Sequence, residues 1–179
     1  MKSGILENDV VRLRALEPED LDLLYDIEND SGLWEVSNTQ TTFSRDLLKE
    51  DLKNAHQDIY EAKQLRMVIC KISDQSVLGM IDLFNFNPQH NRAGIGIFIA
   101  RDKQNRGYAS GALEIFLNYA FRHLDLHQLY ADIPVGNSNS LQLFKKFNFA
   151  EIGTRKDWIK NEGKFQDVSL FQLINPNHS

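Results

Sequence analysis

Apolar and polar residues alternate over residues 10–16 (VVRLRAL), the two-residue period of a strand with one buried face. Glu17-Pro18-Glu19-Asp20 then opens a helix, because proline fits a first turn and acids suit its positive end. Leu21, Leu24, Tyr25 and Glu28 follow at helical spacing. Residues 31–42 are polar and aperiodic, contain Trp34, and read as a loop. Ser44 is placed to cap a second helix whose inner face carries Leu47, Leu48, Leu52, Ala55 and Ile59. Three strand patterns come next, at 64–72, 77–87 and 93–100, joined by the short polar spacers SDQS and PQHNR that suit antiparallel hairpins. A long helix is predicted over 108–124, a strand over 128–135 and a short amphipathic helix over 138–147. Two further strands, 149–159 and 165–173, flank Asn161-Glu162-Gly163, a hairpin turn.

This order predicts an α/β fold, with a mixed, mostly antiparallel central sheet and helices on both faces. The link from 93–100 through the long helix to 128–135 is a crossover, so those two strands should run parallel. Ligands of such sheets bind where parallel strands end and helices begin. With 179 residues and no repeats or linkers, the chain reads as one domain over 1–179, with a flexible tail at 175–179.

Composition narrows the classes. A hydrophobic share of 42% with 25% charged residues is that of an ordinary globular protein. The net charge of -5 offers no basic footprint for nucleic acid. The N-terminus carries acids early and has no unbroken apolar stretch, and no run is long enough to span a bilayer, so no membrane partner and a cytoplasmic location are expected. The single cysteine, Cys70, lies in the strand-like run LRMVICKI and reads as a buried small hydrophobe; no metal site is expected.

Candidate chemistry begins at Gln104-Asn105-Arg106-Gly107-Tyr108-Ala109-Ser110-Gly111, between a strand and a helix. A helix N-terminus leaves amides unpaired, and Gly107 permits a turn and a close approach that let an anion reach them. Arg106 can add charge from the side. Alone this is also what a plain strand-to-helix turn looks like. A second segment, NSNSLQLFKKFNF over 137–149, restarts a helix after a strand. Asn137 can present an amide there, and Ser138 or Ser140 can serve as the helix cap.

QNRGYA resembles the Q/R-x-x-G-x-G/A signature of the GNAT family of N-acetyltransferases. NSNSLQLFKKFNF resembles that family's N-x-x-S-x-x-L-[YF]-x-K-x-G-F signature. The opening VRLRALEPEDLDLLY and the closing hairpin are similar to the branch holding ribosomal-protein N-terminal and spermidine acetyltransferases. The resemblance implies a splayed parallel strand pair that admits acetyl-CoA as co-substrate. It implies backbone of Ile97, Phe98 and Ile99 along the pantetheine, and amides of Gln104, Asn105, Arg106, Gly107, Tyr108, Ala109 and Ser110 under the pyrophosphate. Asn137, Ser138 and Asn139 would meet the pantetheine or the far side of the cofactor.

The implied reaction is acetyl transfer to a primary amine by direct attack in a ternary complex. Two of the family's usual groups are absent. Phe144 stands where many relatives have a tyrosine acid, in the wall of the thioester pocket, and Gly94 stands where many have a glutamate, leaving room for a substrate or water. Asp82, Glu35 and His90 are the substitute candidates for proton transfer, each weighed against an ordinary surface or turn role. A polyamine, a protein N-terminus or another small amine fits as acceptor, with Asn85 and Gly94 speaking against polyamines. Loss of both usual groups also admits a catalytically impaired acyl-CoA sensor. A homodimer is common in this branch.

Overall fold

The computed structural model describes residues 4–29, 42–54 and 57–178. Among the described residues seven strands form one sheet: β1 (Val11–Ala15), β2 (Leu65–Lys71), β3 (Val77–Asn87), β4 (Arg92–Ile99), β5 (Gln128–Pro134), β6 (Ala150–Asn161) and β7 (Lys164–Ile174). Their spatial order is β1-β2-β3-β4-β5-β7-β6. Every neighbouring pair is antiparallel except β4 and β5, which run parallel as the crossover requires.

Side chains one apart along β2 and β3 leave opposite faces of the sheet, and the two faces hold separate cores. Met67, Ile69 and Ile81 join Leu113 and Phe116 of helix α4 (Tyr108–Asn118). Val68, Cys70 and Met80 join Leu24 of α1 (Leu21–Glu28) and Leu48 and Leu52 of α2 (Arg45–Asn54). Cys70 is buried, as its apolar run predicts.

Two helices depart from the pattern. The helix expected to carry Leu47 through Ile59 on one face ends as α2 at Asn54, and Ile59 belongs to a separate short helix, α3 (Ile59–Ala62). Asp58 starts α3 by accepting from the amides of Tyr60 and Glu61 at 2.9 and 3.0 Å. Leu47 is 48% exposed, so the inner stripe of α2 is only Leu48 and Leu52, one turn apart. Ser44 does cap α2, accepting from the Leu47 amide at 3.2 Å. Ala55 and most of the predicted loop, Trp34 and Glu35 included, lie outside the described residues.

The long helix also changes register. Beyond Asn118 it widens over Tyr119–His123, and the Leu124 amide reaches the Tyr119 carbonyl five residues back at 3.0 Å. At the C-terminus, where the sequence predicts a tail from 175, Asn175 is fully buried. Its Nδ2 donates to the carbonyls of Phe121, in the widened turn, and Leu126, just beyond it, at 3.1 and 2.8 Å.

Helix α5 (Ser138–Lys146) ends in a left-handed residue, Asn148, at φ 68°. The Phe149 amide returns to the Phe144 carbonyl at 3.1 Å and the Asn148 amide to Lys145 at 3.0 Å. The rings of Phe144 and Phe149 close the motif edge-to-face, centroids 5.0 Å apart. Only glycine adopts this φ without cost. Asn148→Gly is therefore expected to raise the unfolding free energy by about 0.5–1 kcal/mol, read as a higher denaturation midpoint.

Candidate active site

β4 and β5 pair only at Arg92↔Gln128, Ala93↔Leu129 and Gly94↔Tyr130. Beyond Gly94 each strand follows its outer neighbour: β4 stays with β3 through Ile99, and β5 stays with β7 through Pro134. The inner edges part, and a cleft of about 370 Å³ opens between them. It is lined by Ile97, Phe98, Ile99, Gln104, Asn105, Gly107, Tyr108, Ala109, Ser110, Asn137 and Asn139, all singled out by the sequence. Lys103 lines it as well, from just before the first segment, and so do Ser140, Gln142, Leu143 and Lys146 of the second, none of which the sequence named as a cofactor contact.

Local chemistry explains the cleft's floor. Gly107 is the residue before α4 and has φ 82°, so the chain turns there and the first helical amides face outward. No acid occupies the first turn of α4, which leaves its positive end to an anion. Gln104 Nε2 donates to the Ile99 carbonyl at 3.0 Å and ties the turn to the strand. Lys146 reaches across from α5 to Ser110 Oγ at 3.1 Å, placing an ammonium beside those amides. Asn137 Oδ1 accepts from the Ser140 amide at 3.2 Å. The cap of α5 is thus Asn137, not Ser138 or Ser140, because the helix begins one residue after it.

Three other expected residues fall outside the lining. Arg106 and Ser138 are exposed, and Phe144 is 3% exposed, held in the core by Phe149.

A second cleft, of about 540 Å³, opens on the other face of β4 and shares only Ile97 and Phe98 with the first. Glu28, Arg66, Asp82, Phe84, Asn85, Gly96, Asp132 and Trp158 line it. Arg66 pairs with Glu28 at 2.9 Å, so its charge is locally offset. Asp82 lies opposite Gly96 in the β3–β4 register, and a β-carbon at 96 would sit 2.8 Å from its Oδ1. Burial pushes the Asp82 carboxyl up to about 6, against the pull of Arg66 and with a further push from Glu28.

Gly94 serves a different purpose from the one its sequence suggests. A β-carbon there would come within 2.3 Å of the Phe84 ring, which lies over it and meets Tyr130 edge-to-face at 6.1 Å. The space is filled by Phe84, not left for substrate or water. His90 sits in the exposed turn between β3 and β4, its amide held by Asn87 Oδ1 at 2.9 Å, and lines neither cleft. Among the described residues no helix is long and apolar enough to cross a membrane.

These features match known proteins along nearly the whole chain. Spermidine N(1)-acetyltransferase of Vibrio cholerae is 28% identical over 167 residues, covering 93% of this chain and 94% of that protein. The putative ribosomal N-acetyltransferase YdaF of Bacillus subtilis is 28% identical over 177 residues, covering 93% and 92%. The crystal structure of the Vibrio cholerae spermidine N-acetyltransferase in complex with CoA and spermine superposes with a TM-score of 0.84 over 94% of this chain and 97% of that one, at 28% identity. The model of the acetyltransferase (GNAT) domain matches residues 11–150, and the chain belongs to that family of acetyltransferases.

Proposed function

We propose that the protein transfers an acetyl group from acetyl-CoA in the first cleft to a primary amine of a polyamine entering through the second. The observation that carries the acceptor class is the composition of the second cleft. Glu28, Asp82 and Asp132 bring three carboxylates to it, and Phe84 and Trp158 bring aromatic rings. Among the described lining residues the one guanidinium, Arg66, is paired with Glu28, and Asp132 is paired with Arg155 from outside the lining, which leaves Asp82 as the carboxylate without an ion pair. Such a cleft favours a cation with several charges. The missing carboxylates at Asn85 and Gly94 are offset by acids from α1 and β5. The likeness to spermidine acetyltransferases supports the same reading.

The donor fits the first cleft. The outward amides of α4 and the Lys146 ammonium suit a pyrophosphate, and the open edge of Ile97–Ile99 suits an amide-bearing arm. Acetyl-CoA supplies a thioester already activated toward amines. The chain's own work is then to orient the amine, worth ~7–11 kcal/mol in well-placed systems, and to take its proton. Asp82 is the base. With its carboxyl near 6 it is ionised at neutral pH, attracts the ammonium, and accepts a proton more readily than an ordinary carboxylate. Phe144 has no proton to give.

Thiol release from acetyl-CoA, measured against spermidine, spermine, a peptide with a free N-terminus and a simple monoamine, tests the reading. Spermidine or spermine is expected to show the highest kcat/KM. A peptide turned over better than either polyamine would replace the acceptor, and tight CoA binding without turnover of any amine would replace catalysis with sensing.

A further inference from the structure

β6 and β7 slip register between Arg155, opposite Val168, and Ile159, opposite Gln166. Lys156, Asp157 and Trp158 therefore face a single residue, Asp167. Its carboxylate staples the bulge, accepting from the Asp157 amide at 2.9 Å and from Lys156 Nζ at 3.1 Å. Asp157 takes φ 49° to make the bend. The bulge leaves Trp158 60% exposed at the rim of the second cleft.

Across that rim lies Asp132 of β5. Extending the parallel pairing Gly94↔Tyr130 by two residues puts Asp132 in line with Gly96, and Gly96 pairs with Asp82 on its other side. Asp82 and Asp132 thus lie on the same face either side of Gly96, which has no side chain, with Asp82 paired to Gly96 and Asp132 across the splay from it. Two strand spacings separate the acids by about 10 Å, before the splay widens the gap. Asp132 and the Trp158 ring together already hold a cation, and it is the chain's own. Arg155 places its guanidinium carbon 5.0 Å from the ring centroid and Nη1 3.2 Å from Asp132 Oδ2.

We propose that Asp132 and Trp158 form a subsite for the remote ammonium of the acceptor, and that Arg155 occupies it in the free protein as an internal competitor. An acceptor with its reacting amine at Asp82 and a second charge about 10 Å or slightly more away displaces Arg155, which swings into solvent. Seated in the subsite, Arg155 raises the polyamine concentration needed for binding. The subsite rests on the polyamine reading and narrows it, because it selects for the distance between charges rather than for charge alone.

Kinetics with 1,8-diaminooctane and octylamine isolate the remote ammonium, since the two differ in nothing else at that end. Arg155→Ala is expected to raise the kcat/KM preference for the diamine about tenfold, through KM, by removing an exposed ion pair and a cation–π contact that the diamine must break. Arg155→Lys should fall between Arg155→Ala and wild type. Asp132→Asn should lower the same preference by about threefold to fivefold. Equal effects of Arg155→Ala on both amines, or none on either, overturn the subsite while wild-type turnover of spermidine keeps the polyamine reading. A wild type that acetylates neither spermidine nor the diamine overturns both.

Discussion

Asp82→Asn is expected to lower kcat about a hundredfold or more, the usual weight of a positioned base, and to leave the protein at least as stable as wild type near neutral pH. The sign follows from the raised carboxyl. The ordinary value of 3.8 becomes about 6 in the fold, so the native state holds this proton more tightly than the unfolded chain does. The stability that comes with the proton is fully present below 3.8 and lost as pH rises through about 6. Above that the wild type carries a desolvated charge that asparagine lacks. Denaturation midpoints of variant and wild type should therefore converge in acid and separate in favour of the variant above about pH 6. Activity runs the other way: wild-type kcat/KM rises through about pH 6 as Asp82 ionises, and the variant's profile loses that limb. A folded variant that keeps most of its rate would remove Asp82 from the reaction.

Gly79→Ala is expected to be the most damaging of the small substitutions. A β-carbon at 79 would lie 1.9 Å from the Phe98 carbonyl oxygen, 2.9 Å from its carbon and 3.0 Å from the Ile99 Cα. These are backbone atoms, which cannot rotate aside as a side chain does, so β3 and β4 must separate where they pair. The expected loss is about 3 kcal/mol or more in unfolding free energy. Because Ile97 and Phe98 wall both clefts, the folded fraction should also bind CoA weakly by calorimetry. Wild-type stability and CoA binding in this variant would mean that the two strands have slack at Phe98.

Much of this was legible from residues alone. Alternation located all seven strands within a few residues, and the crossover rule made β4 and β5 parallel. The glycine turn and the Asn/Ser-rich helix start come together in the first cleft because both act through local backbone geometry. The acceptor side was less legible because it depends on register. Asp82 is a candidate from the sequence, but its place opposite Gly96 is set by pairing across strands, and so is the Phe84 ring over Gly94. Trp158 and Asp132 were missed for the same reason. A bulge of two extra residues aims one, and the splay exposes the other. Phe144 read as a wall of the thioester pocket, yet its partner is Phe149, five residues on, through a helix-ending motif that leaves no hydrophobic period to follow.

The shared wall of Ile97 and Phe98 has a kinetic consequence. In the proposed arrangement donor and acceptor approach this wall through separate clefts that share Ile97 and Phe98, so neither occupant stands in the other's doorway. Double-reciprocal plots for the two substrates should then intersect rather than run parallel, with no obligatory order of arrival. The acetylated amine and CoA can likewise depart independently, and each should inhibit competitively only against the substrate that uses its own entrance.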